Sequence, residues 1–179
     1  MLANSLGSAY ILCGRVDEAV RLLERVLEQT ASSGRIGGQA PLLFTLGESH
    51  LHAGHLEEAS ALAARALKLA RTHQERGHEA YALRLLGDIA ARCDPPEVEE
   101  ADASYRQALA LADELGMRPL LAHCHLGLGT LYAKTGQREQ AHAELSGAIA
   151  LYHAMDMAFW LPQAEAALAQ VVKEDEGHI

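Results

Sequence analysis

Histidine is the residue type that most suggests chemistry in this sequence, because ten histidines occur in 179 residues and a neutral imidazole is a common metal ligand. Two segments hold them close together, HLHAGH at 50–55 and HCH at 123–125. If 123–125 is helical, side chains two positions apart project roughly 200° from each other. His123 and His125 then cannot bind one ion, since the ligands of a metal must converge on it. The second segment is therefore not predicted to bind metal.

The first segment is also a weak candidate for a metal site. Only His52 and His55 would share a helix face, and Gly54 is expected to end the helix between them. We therefore predict no metal and no other cofactor. His50 and His125 are expected to be packing groups between helices.

Other motifs do not indicate catalysis. The segment GRIGG at 34–38 resembles a phosphate-binding loop, but such loops follow a strand, and this one is expected to be a flexible loop after a helix. No serine or cysteine stands in a nucleophile-elbow setting. Carboxylate pairs such as Glu57-Glu58 and Glu99-Glu100 fall at the starts of predicted helices, where they complement the helix dipole. The sequence therefore predicts that the protein is not an enzyme.

The charge balance limits the kinds of partner. Fifteen Lys and Arg residues against 24 Asp and Glu residues give a formal net charge of -9. Nucleic-acid binding needs a basic face that displaces counterions from phosphates. We therefore predict no nucleic-acid partner, and an acidic partner surface is also disfavoured.

The cysteines and the hydropathy pattern suggest a location. Cys13, Cys93 and Cys124 form no CxxC pair, and their odd number favours reduced, buried side chains over disulfides. The first ten residues lack the basic start and continuous apolar core of a signal peptide. No apolar run approaches the roughly 18 residues that a membrane helix needs. A cytoplasmic protein without a membrane partner is predicted.

Leucine–glycine pairs recur at a nearly constant interval. They are Leu6-Gly7, Leu46-Gly47, Leu86-Gly87 and Leu128-Gly129, spaced by 40, 40 and 42 residues. A series of alanines keeps the same register, and its members are Ala19, Ala59, Ala101 and Ala141. The two extra residues fall in the turn at 93–96, where Asp94 is expected to be an N-cap with Pro95 at the first helical position. The turns of the other units are predicted at Gly14, Gly54 and Gly136, with left-handed C-caps.

The composition is rich in alanine and leucine with only 4% aromatic residues, which favours helices over strands. We predict an all-α protein with helices near 2–13, 16–32, 38–53, 56–75, 78–92, 96–115, 118–135, 138–155 and 158–174. Breaks such as Arg76-Gly77 divide it into units of about 1–34, 35–76, 77–116 and 117–156, a capping helix at 157–174 and a frayed tail at 175–179. Residues 1–174 are expected to form one superhelical domain.

The stretch 115–152 carries the clearest copy of the repeat. It reads His125-x2-Leu128-Gly129-x2-Tyr132 and then Ala141-x3-Leu145-x2-Ala148, which resembles the tetratricopeptide repeat with His in place of the usual Trp. A glycine at a helix crossing lets two backbones approach to the short end of the usual ~8–10 Å range. The resemblance implies an α-solenoid of about four long units, because one unit cannot bury its apolar face alone.

A narrower resemblance covers the second half of the chain. The runs LGMRPLLAHCHLGLGTLYAKTG at 115–136 and MDMAFWLPQAEAAL at 155–168 are similar to the C-terminal repeat region of multidomain class III adenylate or guanylate cyclases and related signalling ATPases. In that family the repeats are the regulatory or partner-sensing part. The sequence contains no GxxxxGK[ST] phosphate loop and no stretch long enough for a cyclase domain. The resemblance therefore implies an interaction module without enzymatic activity.

If the repeat geometry of the tetratricopeptide family holds, the first helix of each unit lines a concave groove. The residues expected to contact a partner there are Phe44, Glu48, Tyr81, Arg84, Asp88, His123 and Thr130. Phe44 and Tyr81 are aromatic residues on a face that would otherwise be polar, which favours binding. Arg84 and Asp88 stand four positions apart, so they are expected to form a weak surface pair from which a partner carboxylate could take the arginine.

Two functions fit these features. The first is a non-catalytic scaffold or regulatory module that binds a peptide or helix of another protein in the groove. The alternative is a ligand-sensing regulatory domain of a signalling protein, with a small molecule or metal in the same groove. The sequence does not choose between them.

The start of the chain is expected to expose apolar side chains. The first helix has fewer residues before its Leu-Gly pair than the later units have, and no preceding unit covers Leu2, Leu6, Ala9 and Tyr10. The sequence therefore predicts the C-terminal part of a longer array or of a multidomain protein. Its N-terminal end is expected either to fray or to pair with the same end of a second copy.

Overall fold

The computed structural model describes residues 2–32 and 38–176, and this part of the chain is helical without any strand. Its nine helices are α1 (Leu2–Leu12), α2 (Val16–Ser32), α3 (Gln39–Ala53), α4 (Leu56–Thr72), α5 (Arg76–Ala90), α6 (Val98–Glu114), α7 (Arg118–Lys134), α8 (Arg138–Ala154) and α9 (Leu161–Glu176). The all-α prediction is confirmed. The predicted loop at 34–38 lies outside the described residues except for Gly38, and so does 177–179 of the predicted tail. None of the helices in the described ranges has both the length and the apolar character needed to span a bilayer.

The contacts divide the chain into two compact units, residues 1–89 and residues 90–179. In the first unit, neighbouring helices pack in chain order, α1 with α2, α2 with α3, and α3 with α4. In the second unit, α6 packs on α7, α7 on α8 and α8 on α9. The single superhelical domain over 1–174 stays a prediction.

Leucine side chains pack against glycines where the two helices of one repeat cross. A Cβ added to Gly7 would lie 2.9 Å from Cδ1 of Leu23, and one added to Gly129 would lie 2.6 Å from Cγ of Leu145. Each leucine follows its glycine by 16 positions, so both crossings use the same register of the repeat. Because Leu23 and Leu145 are fully buried, these contacts lie in the cores of their units.

The crossing at Gly47 is filled differently. The residue 16 positions later is Ala63, which is buried but too short to reach across. Leu85 of α5 occupies the space, and a Cβ on Gly47 would lie 2.9 Å from its Cδ2. The glycine is still required for close packing, but the next helix along the chain supplies the side chain.

The turn between α4 and α5 lies earlier than predicted. Gln74 takes the left-handed conformation with φ of 57°, and the Glu75 N–H donates to the Ala70 carbonyl at 2.8 Å. The helix α5 therefore begins at Arg76, and the predicted break at Arg76-Gly77 is wrong. Gln74 therefore takes the left-handed position of this turn, which is most often occupied by glycine.

The helix after the proline-containing turn also begins elsewhere than predicted. Glu97 is the N-cap of α6, so Asp94 is not the cap and Pro95 does not open the helix. A residue that precedes proline is driven out of the α conformation, and Pro95 precedes Pro96. The Glu97 N–H instead donates to the Ala90 carbonyl at 3.0 Å, which closes the turn.

The last helix is also shorter at its start than predicted. It begins at Leu161 instead of 158, because Asp156 has a φ of 53° and the Trp160 N–H donates to the Met157 carbonyl at 3.1 Å in a tight turn. Phe159 and Trp160 therefore stand before the helix. Trp160 packs against the core of the second unit, whereas Phe159 is 65% exposed.

The cysteines differ in burial, against the expectation that all three are buried. Cys124 is buried, Cys93 is half-buried and Cys13 is exposed, and none of the three forms a disulfide. Cys13 lies in the turn just after the last residue of α1. The expected absence of a disulfide holds for these three residues.

The first helix exposes apolar side chains as expected. Leu2 is 90% exposed, Leu6 is 45% exposed and Ala9 is also exposed. Tyr10 is half-buried instead, since the guanidinium carbon of Arg15 lies 4.6 Å from its ring centroid. Pairing of two copies through this helix stays a prediction.

Replacing Gly129 with alanine tests the tight helix crossing. The added methyl group would overlap Leu145, so Gly129→Ala is expected to lower the free energy of unfolding by about 1–3 kcal/mol. Gly147→Ala in α8 is the matched control, because a Cβ there would meet only the His125 ring at 3.8 Å. The control should be neutral or stabilising by roughly 0.5–1 kcal/mol, since alanine is the better helix former. Urea unfolding measures both, and equal effects of the two substitutions would contradict this packing.

Candidate functional site

Two aromatic rings meet on the first helices of neighbouring repeats in unit 1–89. Phe44 stands on α3 and Tyr81 on α5, with ring centroids 5.3 Å apart and a tilt of 52°. Both side chains are half-buried, so part of each ring remains open to solvent. We call this pair the aromatic platform. Large rigid rings of this kind provide contact area at little cost in conformational entropy.

A cluster of three charged residues adjoins the aromatic platform. Arg84 contacts Asp88 one turn later on α5 and Glu48 on α3. Its guanidinium carbon also lies 5.7 Å from the centroid of the Phe44 ring. The side chains of Arg84, Glu48 and Asp88 are only 14%, 22% and 19% exposed. The structure therefore brings five of the seven predicted groove residues together.

The arginine does not stand in the surface pair that was predicted. It does pair with Asp88, but the pair is largely shielded from water and Glu48 binds the same guanidinium. Glu48 lies 36 positions away in the sequence, so spacing along one helix could not reveal it. An arginine held by two carboxylates is costly to remove from them. The expectation that a partner carboxylate readily takes Arg84 is therefore wrong.

The environment of Glu48 shifts the pKa of its carboxyl upward. Burial raises the pKa of the Glu48 carboxyl above its ordinary value, and the nearby Asp88 carboxylate adds to the effect. The Arg84 guanidinium acts in the opposite direction, because it stabilises the ionised carboxyl. Burial has the largest influence, so the pKa remains raised.

The other two predicted groove residues belong to unit 90–179. His123 lies with its Nδ1 2.8 Å from the Tyr152 hydroxyl, and its ring centroid is 4.7 Å from that of Trp160. Thr130 donates its hydroxyl to the Leu126 carbonyl of its own helix at 2.8 Å. Seven positions separate them, about 10 Å along the helix. The structure therefore does not bring His123 and Thr130 together.

The second unit contains a polar network that sequence reasoning missed. Tyr132 on α7 donates its hydroxyl to Asp102 on α6, and Arg106 donates both to that hydroxyl at 2.7 Å and to Asp102 at 2.8 Å. Asp102 and Arg106 are four apart, which is a visible helical pairing signal, but nothing in the spacing points to Tyr132. The network joins two helices of the second unit.

The remaining histidine predictions have mixed outcomes. His125 is a packing group between helices as expected, and its Nδ1 also contacts Glu144 of α8 at 2.6 Å. His50 is not such a packing group: it faces His55, with Nδ1 atoms 3.4 Å apart, across the turn at which Gly54 ends α3 as predicted. In residues 2–32 and 38–176, no three His, Cys, Asp or Glu side chains converge as a metal site.

Removing the Arg84 charge tests the buried cluster. Arg84→Met takes away the cation that contacts both carboxylates, and it is expected to lower the free energy of unfolding by about 2 kcal/mol. Adding Glu48→Gln should recover part of that loss, since the amide carries no charge. Arg71→Met is the control, because Arg71 is 53% exposed in its pair with Glu79 and should cost less than about 1 kcal/mol. Urea unfolding distinguishes these outcomes, and an Arg84→Met effect no larger than the control's would contradict the cluster's role.

The Tyr132 network predicts that the phenol of Tyr132 ionises only at unusually high pH. Burial and the Asp102 carboxylate raise the pKa of Tyr132 to about 12, although the Arg106 guanidinium opposes the shift. Because the folded state holds this proton more tightly than the unfolded state does, the network stabilises the protein fully below pH 10, the ordinary pKa of a tyrosine being about 10. That stabilisation is lost as the pH rises from about 10 to about 12. The ¹³Cζ chemical shift of Tyr132, assigned with Tyr132→Phe, should therefore remain that of the neutral phenol at pH 11. A midpoint near pH 10 would show that the network does not protect it.

The comparisons with known proteins fit this architecture. Residues 1–72 match the family model described as Tetratricopeptide repeat. The chain is similar to the apo form of RapI, with a TM-score of 0.72 and 16% identity over 98% of this chain and 48% of that one. BtubC (BKLC) from P. vanneervenii gives a TM-score of 0.71 and 19% identity over 96% of this chain and 70% of that one. TTC0263, a thermophilic TPR protein in Thermus thermophilus, gives 0.66 and 23% over 96% and 80%.

These similarities describe the fold of the chain. The chain spans about half the length of RapI, and at identities of 16–23% the solved structures show the fold alone. A search of curated protein sequences finds no match. Tetratricopeptide repeats generally serve as non-catalytic scaffolds for protein–protein interaction. The chain is thus a helical-repeat protein with the tetratricopeptide fold, and its residues 1–72 carry the repeat itself.

Proposed function

We propose that the protein is a non-catalytic interaction module that binds a peptide or helical segment of another protein. The aromatic platform, Phe44 and Tyr81, is the observation that carries the proposal. Aromatic side chains are enriched among the residues that dominate binding energy, and this chain has few of them. The pair lies on α3 and α5, the first helices of two repeats, which line the groove in proteins of this class.

The charged cluster beside the aromatic platform has a supporting role in this proposal. Arg84 links α3 to α5 through Glu48 and packs over the Phe44 ring. A platform that is held rigid before binding loses less entropy when the partner arrives. Glu48, Arg84 and Asp88 therefore fix the geometry, and Phe44 with Tyr81 supplies most of the contact energy.

The partner's contribution follows from the chemistry of the platform. Half-buried rings offer an apolar surface that an aliphatic or aromatic side chain of the partner would cover. We assign His123 and Thr130 a lesser place in the proposal. His123 is engaged with Tyr152 and Trp160, and the Thr130 hydroxyl bonds to its own helix.

The setting of the module is also part of the proposal. The similarity of residues 115–136 and 155–168 to the repeat region of class III cyclases supports a regulatory role within a signalling protein. Three cysteines that form no disulfide support a reducing compartment such as the cytoplasm.

Selection from a random peptide library displayed on phage tests the proposed function. The full chain should enrich peptides that bind through an apolar side chain. Their affinity for Phe44→Ala/Tyr81→Ala should be about thirtyfold weaker by fluorescence anisotropy, a loss of about 2 kcal/mol that is typical of aromatic hot spots. Phe159→Ala is the matched control, since it removes an exposed ring in the second unit and should leave the affinity unchanged.

Two outcomes would count against the proposal. Enriched peptides that bind the double variant as tightly as the original chain would exclude the aromatic platform. A chain that enriches no peptide, but whose melting temperature rises with a small molecule from a metabolite screen, would favour the ligand-sensing alternative. Circular dichroism of each variant establishes that the helices are intact.

A further inference from the structure

The backbone turn after a first helix brings two side chains together in several repeats. After α3, the His55 N–H donates to the His50 carbonyl at 2.9 Å and the Gly54 N–H donates to the Leu51 carbonyl at 3.2 Å. With Gly54 at a φ of 83°, this is the Schellman motif, in which the side chains three positions before the helix end and two after it come into contact. The contact is therefore set by the backbone.

The same turn recurs with different side chains. After α1, the Arg15 N–H donates to the Tyr10 carbonyl at 2.8 Å, and the Arg15 guanidinium lies over the Tyr10 ring. After α7, the Gln137 N–H donates to the Tyr132 carbonyl at 2.8 Å. Only after α3, among these three turns, do two metal-ligating side chains occupy the paired positions.

The geometry of the His50 and His55 side chains matches that of two ligands on one ion. Their Nδ1 atoms are 3.4 Å apart, and their ring centroids are 5.6 Å apart. Zinc–nitrogen bonds of 2.0–2.1 Å at a tetrahedral angle separate two nitrogen ligands by about 3.3–3.4 Å. The observed separation is longer than the usual hydrogen-bond range of about 2.7–3.2 Å, so a shared proton explains it less well.

The two imidazoles are also available for a metal. His55 is the N-cap of α4, yet its side chain makes no capping hydrogen bond. His55 is exposed and His50 is half-buried, so an ion can reach both from solvent. The remaining positions of a tetrahedral ion would be open to water.

We propose that His50 and His55 form an exchangeable zinc site, with both Nδ1 atoms as ligands and water in the other two positions. This site is separate from the aromatic platform and does not depend on the proposed peptide binding. Sequence spacing did not reveal it, because only His52 and His55 were expected to share a helix face. The left-handed Gly54 instead folds the chain back and joins His50 to His55.

Isothermal titration of the full chain with zinc chloride, in a buffer that does not bind zinc, tests the site. One zinc ion per chain should bind, and His50→Ala and His55→Ala should each weaken binding at least tenfold. His73→Ala is the control, because His73 is exposed in the same unit and should leave affinity unchanged. In ¹H–¹⁵N spectra of the imidazoles, zinc should shift the Nδ1 signals of both His50 and His55.

Several results would overturn the proposal. These are no measurable zinc binding, binding that survives either substitution, or an equal loss in His73→Ala that indicates adventitious binding by surface histidines. Gly54→Ala provides a check that keeps both imidazoles, since alanine disfavours a φ of 83°. Zinc affinity should fall in that variant, and circular dichroism confirms that its helices remain. Unchanged affinity in a folded Gly54→Ala chain would show that the turn does not build the site.

Discussion

The close approach of two helices at a glycine is the constraint on which the repeats around Gly7, Gly47 and Gly129 depend. Leucine side chains enter the space beside Gly7 and Gly129 so closely that a methyl group at either position would overlap them. Protein interiors are close-packed, so such a contact fixes the distance and rotation of one helix against the other. The rotation in turn decides which side chains of the first helix are buried and which remain on its open face. Phe44 and Tyr81 belong to that partly open face.

The turns of the repeat are a second constraint, which fixes the backbone but allows different side chains. The backbone hydrogen bonds after α1, α3 and α7 are alike, and after α1 and α3 the side chains at the paired positions are in contact. One turn carries a cation over an aromatic ring, and another carries two imidazoles. Repeats that share one backbone turn can therefore carry different functional side chains at equivalent positions. This separation of scaffold and site is typical of helical-repeat proteins.

Local spacing predicted much of the fold because helix periodicity and repeat register are properties of neighbouring residues. It could identify the Leu-Gly pairs, the turn glycines and the pairing of Arg84 with Asp88. It could not predict that Glu48 joins that pair, since the contact depends on the packing of α3 against α5. It placed Pro95 wrongly because Pro96 drives the residue before it out of the helical conformation. The meeting of His50 with His55 was missed because a left-handed turn reverses the face on which a side chain lies.

The central claim is that the aromatic platform of residues 1–89 is the surface that binds a partner. Mapping amide and aromatic chemical shifts of the full chain, with the tightest library-selected peptide added stepwise, tests it most directly. We expect the largest changes at Phe44, Glu48, Tyr81, Arg84 and Asp88. Nuclear Overhauser effects should also join the peptide to both rings. Changes confined to the outer faces of α2 and α4, with Phe44 and Tyr81 unmoved, would contradict the claim.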